Sequence, residues 1–103
     1  MTLTAQQMTA TENELQENFQ RAGLTVAQVT EELGISTVKL GHIMHLTQRS
    51  YEDIWIMRNY LLKKVAENGA TPVPFTALNG DWHRHWFLNS ALIDAGKMTA
   101  GDF

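Results

Sequence analysis

The stretch from Thr25 to His45, TVAQVTEELGISTVKLGHIMH, constrains the fold more than any other part of the chain. Thr25 and Gln28 have capping-box spacing, in which the threonine oxygen accepts from an early helix N–H and the glutamine reaches back. Val26, Val29 and Leu33 then recur at three- and four-residue steps, one face of a helix. Gly34 follows directly, where a left-handed residue ends a helix without a Cβ clash. Ile35 is an apolar plug, Ser36 a cap for a second helix, and Leu40, Ile43 and Met44 the inner face of that helix. Two short helices crossing at a glycine turn, with Val29, Leu33, Ile35, Leu40 and Ile43 between them, read as a helix-turn-helix over 25–46. An ordinary helical hairpin packs in the same way.

The rest of the chain surrounds that unit with helices. Residues 4–22 predict a first helix, started by either Thr4–Gln7 or Thr9–Glu12, with Met8, Leu15, Phe19 and Ala22 on its apolar stripe and Gly23 as the stop. Glu12, Glu14 and Glu17 suit the dipole near its start and read as a solvated face. Residues 51–68 predict the longest helix, capped by Ser50 and stopped at Gly69. Its main stripe is Ile54, Met57, Leu61 and Val65, widened by Trp55 and Leu62, and Ile56 with Tyr60 forms a second strip. A helix apolar on so many sides is central to the core or packs on a partner. Homodimerisation through Trp55, Ile56 and Tyr60 is therefore expected.

Arg58 falls within the main stripe, so it requires a carboxylate or several carbonyls. Among Asp81, Asp94 and Glu14, an ion pair with Asp81 is the expected answer. Thr71 and Val73 precede prolines, so TPVPFTALNG at 71–80 is an extended connector anchored by Phe75 and Leu78. The aromatic segment 75–95 carries Trp82, Trp86 and Phe87. Asp81 caps a short helix there, or Asn79-Gly80 turns a hairpin; the short helix is preferred. The aromatics read as core, because Arg84 is the one fixed cation among them and base stacking needs a basic setting. The expected fold is all-α: a single-domain helix-turn-helix bundle over 1–103, with a short C-terminal hairpin as the variant. No repeat or low-complexity tract interrupts it.

Charge and composition narrow the function. The chain has no cysteine, which excludes disulfides, thiolate catalysis and cysteine zinc sites. It shows no leader-like start and no long apolar run, so a cytoplasmic location away from membranes is expected. The net charge is −3, and the eight Lys and Arg are scattered rather than clustered, whereas phosphate tracking needs a cluster. If the second helix reads DNA, its outward residues are Thr37, Val38, Lys39, Gly41, His42 and His45. Ser36, Thr37 and Lys39 then start the contacts, with His42, His45 and Arg49 along the groove. Histidines titrate near neutrality, so such binding strengthens on mild acidification.

No cofactor or metal is expected. His42 and His45 share a face without a third ligand, and Asp81, His83 and His85 lack a supporting cluster. No nucleophile, base and orienting group stand at catalytic spacing, and Asp81, His83 and Arg84 are the one cluster to inspect. The expected function is thus a small dimeric DNA-binding transcriptional regulator, not an enzyme. The alternative is a protein-interaction module on the same scaffold. The charge balance, the broad apolar helix at 54–65 and the aromatic-rich C-terminal segment are the support for that alternative.

Four stretches carry a resemblance to a known family: ELQENF at 14–19, WIMRNYL at 55–61, PVPFTAL at 72–78 and GDWHRHWFL at 80–88. The sequence resembles a small uncharacterised bacterial family, domain of unknown function 2316, over nearly its whole length. A common form of that family has tyrosines where Trp82 and His85 stand. The resemblance implies a helix-turn-helix-like fold, no assigned catalytic activity, and no established functional residues to carry over.

Overall fold

The first helix, α1 (Ala5–Arg21), starts at the earlier of its two candidate caps. The Thr4 side chain accepts from the Gln7 amide at 3.1 Å and the Gln7 side chain accepts from the Thr4 amide at 2.9 Å. In this computed structural model, which describes residues 4–48, 51–78, 90–96 and 98, α1 is followed by α2 (Val26–Leu33), α3 (Thr37–Met44), α4 (Tyr51–Glu67) and α5 (Ser90–Ala95). The described residues form an all-α bundle. The connector at 71–78 has no regular structure and bends over 76–78; the short helix or hairpin at 79–89 lies outside the described residues.

Thr25 and Gln28 form the expected capping box on α2, and Gly34 ends it at φ +66°. Ser36 caps α3 by accepting from the Lys39 amide at 3.1 Å. The end of α3 is less usual. Leu46 takes the left-handed conformation, φ +57°, where the preceding turn uses glycine. The Leu46 amide donates to Ile43 O and the Thr47 amide to His42 O, a Schellman closure made with leucine. The Leu46 side chain packs on the core, which offsets a left-handed penalty of about 1–2 kcal/mol.

The core gathers Leu15, Val29, Leu40, Ile43, Ile54, Trp55, Ile56, Met57, Leu61, Phe75, Leu78 and Ile93. Helix α4 is its axis: α1, α3 and α5 all pack on it, and α2 packs on α3. The expected main stripe of α4 is buried throughout. Trp55 and Ile56, expected on a dimer face, are also buried within the single chain, at 5% and 3% exposure. That corrects the dimer-face expectation: α4 spends its broad apolar surface on its own core, with α5 covering what the main stripe leaves.

The connector is held from α1 by side chains. Asn18, fully buried, donates from Nδ2 to Val73 O at 3.0 Å and accepts the Val73 amide on Oδ1 at 2.8 Å. Four residues earlier, the Glu14 carboxylate accepts from the Thr76 amide (3.2 Å) and hydroxyl (2.8 Å). Three residues later, Arg21 donates to Thr71 O at 2.8 Å. One face of α1 thus substitutes for the strand that an extended segment lacks. Glu14, read from sequence as a solvated charge, is one of its clamps. Asn68 ties the end of α4 to the end of α1 through a bond to Arg21 O at 3.0 Å.

Candidate binding face and its surroundings

The outward face of α3 is set by what its inward face holds. Leu40 and Ile43 are buried as the sequence implies, and so is Lys39, at 0% exposure. Its Nζ lies 3.2 Å from Asp53 Oδ2 in the first turn of α4, and that carboxylate is also fully buried. The outward reading of Lys39 is therefore corrected. At 100° per residue, Lys39 stands only roughly 40° around the helix from Ile43, which carries it to the core side. A buried lysine persists because its carboxylate is buried with it.

What remains outside is Thr37, Val38 and His45, with Gly41 and His42 half-buried beside them. Val38 is 56% exposed, the most exposed large hydrophobic among the described residues, and Val26 at the start of α2 follows at 48%. Ser36 is half-buried, and its hydroxyl is used as the cap. His42 is fixed by Thr47, whose Oγ1 lies 2.9 Å from its Nδ1. Arg49 lies outside the described residues. Among the described residues, then, no lysine or arginine stands on the outward arc of α3. No group of three potential metal-ligating side chains gathers among them either, and no helix there is long and apolar enough to cross a membrane.

A glycine inside a helix is either a weak point in it or a place where another backbone comes close. A Cβ built on Gly41 meets nothing within 4 Å, so no close approach occurs there among the described residues. Gly41→Ala is expected to stabilise the fold by about 1 kcal/mol. That raises the melting temperature by roughly 4–8 °C. A fall in melting temperature would show that this position is strained.

Arg58 answers its burial without a described carboxylate. Its Nε donates to Leu78 O at 2.7 Å and its Nη1 to Asn59 Oδ1 at 2.6 Å. The guanidinium also lies over the rings of Trp55, at 5.2 Å, and Phe75, at 6.0 Å. Burial pushes the Arg58 pKa down from its ordinary value. Of its expected partners, Glu14 is committed to Thr76, and Asp81 lies outside the described residues. Among the described residues the carbonyl route is the one seen.

Tyr60, the third residue of the expected dimer face, is half-buried and donates its hydroxyl to Glu32 Oε2 at 2.9 Å. Lys64 meets the same oxygen at 3.0 Å and Glu67 at 3.2 Å, with its ammonium 5.6 Å from the Tyr60 ring centre. Burial first, then the Glu32 hydrogen bond, pushes the Tyr60 phenol up to about 12. Lys64 first, then Tyr60, holds the Glu32 carboxyl below its ordinary value. A raised folded-state pKa stabilises fully below the unfolded value, about 10 for tyrosine. That contribution is lost as pH rises toward 12. In a phenolate absorbance titration, the step missing from Tyr60→Phe is expected near pH 12. A missing step at the ordinary tyrosine value would contradict the burial of the phenol together with its Glu32 contact.

Residues 1–89 match the family described as "Uncharacterized protein conserved in bacteria (DUF2316)". The chain belongs to this family. No curated protein and no solved structure matches it. The matched span covers α1 to α4 and the connector. Within it, two of the stretches that carried the resemblance touch: ELQENF supplies Glu14 and Asn18, and PVPFTAL supplies the Val73 and Thr76 groups that they hold.

Proposed function

We propose that this DUF2316 chain is a small interaction module, with the outward face of α3 as its working surface and a protein as its partner. The observation behind this reading is the burial of Lys39 against Asp53. It removes from α3 the one cation that a DNA contact would start from, and leaves Thr37, Val38, Gly41 and His45 as a neutral, weakly apolar surface. Protein contacts are favoured by apolar, uncharged centres, whereas phosphate contacts need clustered positive charge. The test is a photo-crosslinking residue at position 38, with a second at the exposed Gln20 of α1 as control. A discrete adduct from position 38 alone, lost on Thr37→Glu, is expected in cells. Equal labelling from both positions would set the reading aside.

A second reading, a DNA-binding regulator, is favoured by one feature. The Gly34–Ser36 turn holds α3 outward with Thr37 exposed at its capped start. That reading would now rest on Ser36, Thr37, His42, His45 and Arg49 without Lys39. Homodimerisation would need a surface other than Trp55 and Ile56.

A further inference from the structure

The second apolar strip of α4 does not end in solvent. Ile56, Asn59, Tyr60 and Lys63, at successive turns of one helix face, form the wall of a cleft of about 440 Å³. Leu33 of α2 and Ile93 of α5 complete its apolar side among the described residues, and Asp94 stands on the α5 rim. Small-molecule sites fall in this size range, apolar with a few convergent polar groups.

Two of the polar side chains here, Asn59 and Lys63, are donors, and one, Asp94, is a carboxylate. Arg58 Nη1 binds Asn59 Oδ1 at 2.6 Å, which fixes the amide and leaves its Nδ2 as the available end. Among the described residues that Nδ2 donates to nothing, and Lys63 forms no salt bridge, while its neighbour Lys64 is taken by Glu32 and Glu67. Asp94 is already engaged within the protein. The Tyr60 hydroxyl is committed to Glu32. The cleft therefore offers an ammonium and an oriented amide above an apolar floor, and that combination matches an anion with a hydrophobic body.

We propose that this cleft binds a small organic carboxylate, its charged end on Lys63 and Asn59 and its apolar body on Leu33, Ile56 and Ile93. The site is independent of the reading of α3. It lies where α2, α4 and α5 meet, so an occupant would contact the helix that supports α3.

The test uses the full chain, labelled for NMR and titrated with benzoate, with benzamide as the neutral probe of the same shape. Benzoate is expected to shift the Asn59 side-chain amide and the Ile56 and Ile93 methyls, saturating at about millimolar concentration. Benzamide is expected to shift them at least about fivefold more weakly. Lys63 is exposed, so Lys63→Ala keeps the fold; it is expected to weaken benzoate by about five- to tenfold and leave benzamide unchanged. Equal response to both probes, or an unchanged benzoate titration in Lys63→Ala, overturns the proposal. So do shifts scattered away from the cleft, or no saturable shift at all.

Discussion

Lys39→Met is expected to destabilise the protein by about 3–5 kcal/mol, because it leaves the Asp53 carboxylate buried without its cation. For a small domain that is a large share of the whole stability. Asp53→Leu is expected to cost a similar amount from the other side. The informative variant is the pair together. Lys39→Met with Asp53→Leu removes both charges and fills the space with apolar atoms, and is expected to recover most of the loss or exceed the parent. Urea unfolding of the four proteins gives the coupling directly. Additive losses would mean that the two side chains do not act as a buried pair. A loss below about 1 kcal/mol for Lys39→Met is what an exposed lysine would give.

The second large effect is expected at Asn18. Asn18→Leu keeps the volume and removes both partners of the Val73 backbone, an amide and a carbonyl held at 2.8 and 3.0 Å. Each group left unsatisfied costs about 1–3 kcal/mol, so a total of about 2–6 kcal/mol is expected for the two. Hydrogen exchange locates the damage: the Val73 amide should lose protection ahead of the α4 amides. Glu14→Gln retains an acceptor for Thr76 and is expected to change stability little. If Asn18→Leu unfolds α4 and the connector together, with no earlier exchange at Val73, the clamp is not the local fastening described here.

The helices were legible because local and tertiary signals agree in them. The capping boxes at Thr4 and Thr25, the left-handed Gly34, and the stripes of Val29 and of Ile54–Val65 all act within a few residues. Three features were not legible, each for a physical reason. Its charge reads Lys39 outward, although its helical phase places it beside Ile43; a buried carboxylate on another helix helps make that position tolerable. Glu14 and Asn18 look like ordinary polar positions on α1, since their partners lie 62 and 55 residues away in a segment with no regular structure. The strip of Ile56 and Tyr60 suggested a partner subunit because nothing nearby in sequence announces α5, a six-residue helix.

The outward face of α3 rests on the same misplaced charge. With Lys39 outside, that helix would carry a cation at its start; with Lys39 in the core, its described surface is neutral. Anisotropy of a labelled mixed-sequence DNA duplex, titrated with the protein from low to physiological salt, separates these cases most directly. The expected result is no saturable binding at low salt, and the same outcome for Lys39→Met/Asp53→Leu. Binding at low salt with an affinity that falls steeply as salt rises would contradict it, since that slope counts phosphates neutralised by lysine and arginine.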